Sequence, residues 1–350
     1  MYKDLVVSKV DRGRLGLNKG LPHGLTRMLE YIPGIQQKTY YLIGGETGTG
    51  KSAFTNNNFI FTPIEWYLKN KENESKIKLK IFYYSFEIPK EDMFIKAINR
   101  SVYLKTGLLL DINYTLSRGK YRMSDEHYKI VVEHANMLDE FNDIMVVKDV
   151  PTNPTGLWYD MLKYAQDNGT GITDLKFDGG EYIPNNPNEY VMIVIDHISL
   201  SLKERGFATK DTIDKLSEYL IVLRNKCGYT PVVVQQLNRS LSSTERLKFD
   251  RLEPQLSDFK DSGNTQQDAN IVLTLFSPNK YEVKNYRGYD IERLKDRFRA
   301  LGIAKNRDGE AEKVIGLKYV GECGYFDELP RKDQMLESDY KLIESIKKSF

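Results

Sequence analysis

Cysteine is almost missing from this chain: Cys227 and Cys323 are the two in 350 residues. They stand too far apart for any metal-site spacing, so a reducing cytoplasm is the expected setting. Long hydrophobic runs are missing as well. No apolar stretch approaches the ~18 residues of a membrane-spanning helix, and none is expected. Met1-Tyr2-Lys3-Asp4 opens a charged segment where a signal peptide would turn apolar. Nor does one sign of charge dominate. A net charge of +2 excludes a strongly basic coat for nucleic acid, but it leaves room for a few lysines concentrated at one site. Internal repeats and low-complexity tracts are absent. What remains is 40% apolar and 29% charged, the balance of an ordinary soluble protein with a sizeable core, in one large domain or two. The abundance of Lys, Asn and Tyr reads as coding bias and carries no functional message.

Against that plain background one run stands out: Gly45-Glu46-Thr47-Gly48-Thr49-Gly50-Lys51-Ser52. It follows a strand-like stretch, Lys38 to Ile43, and opens a helix-like one from Ser52 to about Asn70. That strand–loop–helix context completes a P-loop. Its glycines let successive backbone N–H groups point inward at a phosphate, and the helix N-terminus adds its positive dipole end. Lys51 is placed to reach the β- and γ-phosphates, and the Ser52 hydroxyl to ligate Mg²⁺. A nucleoside triphosphate, taken as ATP, is the expected ligand.

Apolar or β-branched runs recur at about residues 78–86, 143–148, 190–196, 230–235, 270–276, 300–305 and 313–320. Helix-period segments separate the earlier ones: Lys90 to Lys105, Asp125 to Leu138, Thr155 to Gln166 and Thr212 to Lys226. The alternation predicts an α/β fold, a mostly parallel twisted sheet flanked by helices, closed by a C-terminal hairpin. Residues 1–22 read as an N-terminal arm or linker and 23–330 as one catalytic domain. Within it, residues 168–188, rich in Gly, Asn, Asp and Pro, read as a polar insertion or mobile surface loop. Residues 331–350 read as a helical tail.

Three strands end in residues suited to phosphoryl transfer. Val191 to Asp196 is an apolar strand ending in an acid, the Walker B pattern, which would put Asp196 beside the P-loop to hold Mg²⁺. Ile81 to Glu87 also ends in an acid; that carboxylate either polarises the attacking water or caps the helix after Ile88-Pro89. Val232 to Gln236 ends in amides, which either contact a γ-phosphate or satisfy a loop backbone. His197, one residue past Asp196, is expected on the opposite side of the strand and without a catalytic role. Trp66 and Trp158 sit among helix-period apolar residues and are expected to pack in the core.

Ser85-Phe86-Glu87-Ile88, Ile195-Asp196-His197-Ile198-Ser199-Leu200, Gln236-Leu237-Asn238-Arg239-Ser240-Leu241 and Asp268-Ala269-Asn270 resemble, in order and spacing, the successive motifs of DnaB-type replicative helicases. The resemblance covers roughly residues 20–328, the RecA-like motor domain of that family. It implies that Glu87 is the catalytic base and Gln236 the γ-phosphate sensor. Lys305-Asn306-Arg307-Asp308-Gly309 matches the family element whose basic residues reach the neighbouring subunit's nucleotide; otherwise Lys305 and Arg307 would read as a solvated hairpin rim. Asp258-Phe259-Lys260-Asp261-Ser262-Gly263 matches a loop that faces the pore, so Lys260, Asp261 and Gly263 are expected to contact single-stranded DNA; otherwise it is a polar turn.

The implied protein is a homo-oligomer, a hexameric ring, coupling Mg-ATP hydrolysis to movement on single-stranded DNA and to duplex unwinding during replication. It would work with a loader or other replication proteins and no membrane. The family's N-terminal helical collar, which recruits primase, has no room in 350 residues, so primase recruitment and the usual loading route are not implied. A RecA-like recombinase or a DNA-dependent ATPase without unwinding is the second reading. A structural assembly protein glued by nucleotide is the third, and Lys51, Glu87 and Asp196 together speak against it.

Overall fold

The computed structural model describes residues 2–72, 77–237, 252–262 and 264–350. Among them, nine strands form one sheet: β1 Tyr41–Gly45, β2 Lys78–Ser85, β3 Met145–Lys148, β4 Glu189–Asp196, β5 Thr230–Gln236, β6 Ile271–Phe276, β7 Phe298–Asn306, β8 Lys313–Val320 and β9 Tyr325–Glu328. Their spatial order is β9-β8-β7-β6-β1-β5-β4-β2-β3. The first six run parallel to one another, and β7 to β9 complete the edge in antiparallel fashion. The sequence pattern predicted this architecture. Within the sheet it missed only β9, four residues long, whose pairing with β8 turns the expected hairpin into a three-stranded edge.

The central strands are apolar because they are buried on both faces. Alternate residues feed two cores: Tyr41, Ile43, Tyr83, Val194 and Leu273 face one side, while Leu42, Tyr84, Ile195, Val233 and Val272 face the other. On the first side packs the helix that follows the P-loop. It runs unbroken through Lys51–Thr55, a π-helical turn Asn56–Phe61 and Thr62–Asn70. The helices Pro154–Asp167 and Thr209–Val222 cover the second side with Leu157, Met161, Leu216 and Leu220. Trp66 packs against the first core and Trp158 against the second.

The N-terminal arm and the insertion carry more regular structure than their sequence reading gave them. The expected arm holds an α-helix, Tyr2–Arg14, whose Val6, Val7 and Val10 are exposed. Its apolar spacing therefore answers to no core of this chain; Arg12 ties it down through Asn188 and Gln37. The insertion is ordered rather than a loose loop. Gly169–Thr170 pairs with Ile183–Pro184, Ile172–Thr173 pairs with Lys176–Phe177, and Ile172 and Tyr182 are buried in the second core. The tail holds a 3₁₀ turn, Lys332–Gln334, and an α-helix, Glu337–Glu344. Beyond it Lys348 pairs with Asp111 and the Phe350 ring stacks on Tyr114 at 4.1 Å.

Candidate active site

β1 delivers the chain into the P-loop between β5 and β6, at the carboxyl ends of the parallel strands, where open α/β sheets bind ligands. Gly48 and Gly50 have φ of 81° and 92°, backbone that only glycine enters freely, and Gly50 passes directly into the helix at Lys51. Gly50 is also tightly packed, since a Cβ would come 3.1 Å from both Tyr319 and Phe326, whose rings would have to give way. The Lys51 Nζ donates to the Glu46 carbonyl at 2.9 Å, and the Thr49 hydroxyl donates to the same oxygen at 2.8 Å. Burial lowers the Lys51 pKa, while Asp196, Glu87 and Glu46 oppose the shift. A half-buried cation folded back on its own loop is available to an anionic partner.

β4 brings Asp196 to this lysine. Its Oδ2 accepts a hydrogen bond from the Tyr83 hydroxyl at 3.2 Å, while Oδ1 is buried with no partner among the described residues. Burial pushes the carboxyl up to about 6; Glu87 adds to the rise, and Ser52, Tyr83 and Lys51 act against it. An orphaned carboxylate oxygen in reach of the Ser52 hydroxyl fits a hydrated Mg²⁺, which would satisfy it. Glu87 lies beyond the end of β2 and is exposed, free to meet a water. The Phe86 N–H donates to the Asp196 carbonyl at 2.8 Å and so fixes one acid's strand end against the other's. Gln236, the last residue of β5, donates to the Thr47 hydroxyl at 2.8 Å. The P-loop, Asp196, Glu87 and Gln236 thus share one crevice.

His197 corrects the sequence reading. Its Nε2 lies 3.8 Å from Glu87 Oε2, on the crevice side, and burial lowers its pKa. Strand alternation stops governing a side chain once the chain leaves the ladder, and Asp196 is the last ladder residue. Sequence reading also passed over Arg299, which is buried and donates from Nε to the Thr49 carbonyl at 3.0 Å while stacking on Tyr319. A charged residue at a core position of β7 was the available signal, but its partner lies 250 residues away. Beside Gly48 opens a cavity of about 910 Å³ lined by Lys295, Arg297, Arg299, Tyr319 and Glu322, large enough for a nucleoside.

Lys305 and Arg307 are not in this crevice. β7 runs antiparallel to β6, so Asn306 pairs with Ile271, which pairs in turn with Tyr41 at the start of β1. The two cations therefore sit at the opposite end of the sheet from their own P-loop. There Lys305 donates to the Gln266 and Gln267 carbonyls at 2.8 and 2.9 Å, and Arg307 to the Gln267 carbonyl at 2.6 Å. Arg224, which sequence reading overlooked, joins them through the Asp268 carbonyl and Asn270. Lys260 and Asp261 lie on the 3₁₀ segment Leu256–Ser262. Their side chains, Gly263, and the motif residues Asn238 to Leu241 lie outside the described residues.

A P-loop, a strand-end acid and a flanking acid gathered at the carboxyl ends of a mostly parallel sheet define a RecA-like P-loop NTPase core. A family model described as DnaB-like helicase C terminal domain matches residues 20–328, and the chain belongs to that family. The replicative DNA helicase DnaB of Rickettsia typhi is 21% identical over 332 residues, spanning 89% of this chain and 58% of that protein. That of Geobacillus stearothermophilus is 22% identical and spans 94% of this chain and 62% of the other. The chain thus covers less than two thirds of these relatives' length. Among solved structures, one described as an ATPase domain superposes with a TM-score of 0.68 at 18% identity, over 93% of this chain and 98% of that one. A DnaB-like replicative helicase, described with its interactions with primase, gives 0.61 at 18% identity, over 89% of this chain and 63% of the other. At such identity the two structures speak to the fold alone. No helix among the described residues is long and apolar enough to cross a membrane.

Proposed function

We propose that this chain is the ATP-hydrolysing motor of a DnaB-like replicative DNA helicase. Copies assemble into a ring, a hexamer as in the family resemblance, and each nucleotide lies between two of them. The supporting observation is the separation of Lys305 and Arg307 from the P-loop of their own chain: such cations are useful to a triphosphate only on a neighbouring copy. The backbone N–H groups of residues 46–52 and Lys51 bind the phosphates. Ser52 and Asp196 hold Mg²⁺, which supplies positive charge to the phosphate oxygens. Glu87 orients the attacking water and takes its proton, and Gln236, leaning on Thr47, registers whether the γ-phosphate is present. Arg307, with Lys305, stabilises the charge that develops on the transferred phosphoryl group. Lys260, Asp261 and Gly263 follow the backbone of single-stranded DNA, with the setting cytoplasmic and a loader as a further partner.

The deciding experiment measures ATP hydrolysis with and without single-stranded DNA, beside particle mass with nucleotide present. The reading expects DNA to accelerate hydrolysis in a closed oligomer. A monomer whose hydrolysis ignores DNA contradicts it.

A further inference from the structure

Glu46 places a carboxylate inside a loop built to hold phosphates, and an anion there opposes the ligand unless it is matched. It is matched from a distance. Lys280 Nζ lies 3.0 Å from Glu46 Oε2, and the Tyr281 hydroxyl donates to the same oxygen at 2.6 Å. Both belong to the 3₁₀ turn Pro278–Tyr281 that follows β6, the neighbour of the P-loop strand. From Tyr281 a row of rings continues: Tyr281 stacks on Phe276 at 5.9 Å, and Phe276 lies 5.5 Å from Tyr286. At the far end the Tyr286 hydroxyl donates to Glu253 Oε1 at 2.7 Å, while the Arg287 guanidinium grips both Glu253 oxygens at 2.7 and 2.9 Å. That grip holds the Glu253 carboxyl below the usual range.

Arg287 occupies the tight turn between Asn285–Tyr286 and Tyr289–Asp290 with φ of 48°. Such a turn favours Asn or Gly, so an arginine there is held against backbone preference and its side chain has work to do. Glu253 belongs to residues 252–262, the stretch that carries Lys260 and Asp261.

We propose that residues 278–287 form a strap joining the P-loop at Glu46 to the 252–262 segment at Glu253, through which triphosphate binding repositions that segment. Lys280, Tyr281, Tyr286 and Arg287 are positioning residues in this scheme, not catalytic ones. A bound polyphosphate competes with Glu46 for Lys280, the turn at 278–281 shifts, and the ring row, with Phe276 of β6 at its middle, carries the shift to the Arg287–Glu253 pair. The Gln236–Thr47 contact acts on the adjacent P-loop residue, so two consecutive positions of the loop are each tied to a different element. The inference rests on the triphosphate reading of the P-loop but not on DNA binding.

The test is hydrogen exchange on the full chain with and without Mg²⁺ and a slowly hydrolysed ATP analogue, comparing residues 46–52 with 255–262. In the parent, both stretches should slow, the second by about fivefold, a modest coupling. In Arg287→Gly, which suits the turn and removes the side chain that grips Glu253, residues 46–52 should still slow while 255–262 should not respond. Lys280→Met should give the same split. A parental response at 255–262 in both variants overturns the strap, as does a parent whose P-loop slows while 255–262 does not. A parent whose P-loop fails to slow overturns the triphosphate reading and the strap with it.

Discussion

At the carboxyl ends of β1, β4 and β5 the chain builds a cradle whose parts already hold one another. Lys51 and Thr49 bond to Glu46, Gln236 bonds to Thr47, and Arg299 bonds to the Thr49 carbonyl. At the opposite end of the sheet β7 presents Lys305 and, just past it, Arg307, with Arg224 beside them on the helical turn Leu223–Cys227. There Lys305 and Arg307 rest on backbone carbonyls, with no carboxylate ion pair among the described residues. The strand between these ends, Tyr41 to Gly45, separates them by roughly 13 Å at the usual rise per residue. One end is a preorganised anion site, and at the other three cations outnumber the single Asp268 carboxylate that acts on Lys305 and Arg224. In the proposed ring, pairing these ends across two copies would account for both and would make the functional unit an interface.

The largest expected effect is at the cradle. Lys51→Ala should cut hydrolysis by about 10³-fold and strongly weaken triphosphate binding, read by steady-state turnover and nucleotide titration. Near-parental turnover would remove the P-loop from the account. Glu87→Gln should keep ATP bound but lower turnover by about 10²-fold, because it retains shape while losing the base. If single-turnover rates stay parental, the water-orienting acid lies elsewhere, and His197 beside Glu87 becomes the group to examine.

A smaller effect follows from Asp196, whose carboxyl burial pushes up to about 6. Mg²⁺ needs the ionised form, so Mg-dependent nucleotide affinity should be flat above about pH 7 and fall by up to about tenfold per unit below pH 6. The stability sign is the reverse. Without the cation the folded chain holds a proton that an unfolded Asp of ordinary pKa 3.8 has released, so this contribution to stability fades as pH rises from about 4 through 6. Affinity that does not change between pH 5 and 8 would contradict the buried-carboxylate assignment. The smallest effect expected is at Lys260→Ala, which should weaken single-strand binding and flatten its dependence on salt by about one counterion, with basal hydrolysis unchanged. An unaltered salt slope in an intact ring would place the DNA path elsewhere.

Sequence periodicity captured the sheet because its central strands are buried on both faces and read as continuous apolar runs, as Val191 to Asp196 does. The cradle was legible because a P-loop is local. Arg299, Lys280 and Arg224 were not, since each acts on a partner brought near only by the order of strands. His197 was misplaced because alternation was carried one residue past the ladder. The helix Tyr2–Arg14 was missed because its valines at helix spacing face no core within the chain.

The central claim, that the site is shared between two copies, is tested most directly by mixing two inactive chains. Arg307→Ala alone should lower turnover by about 10³-fold or more while its own cradle still fills with nucleotide. Lys51→Ala alone lacks the cradle but keeps the cations. Co-assembled at varied ratios, with mixed particles verified by mass, they should recover ATP hydrolysis, because some interfaces join a sound cradle to a sound Arg307. Verified mixed particles that stay as inactive as either parent variant at every ratio would contradict a shared site.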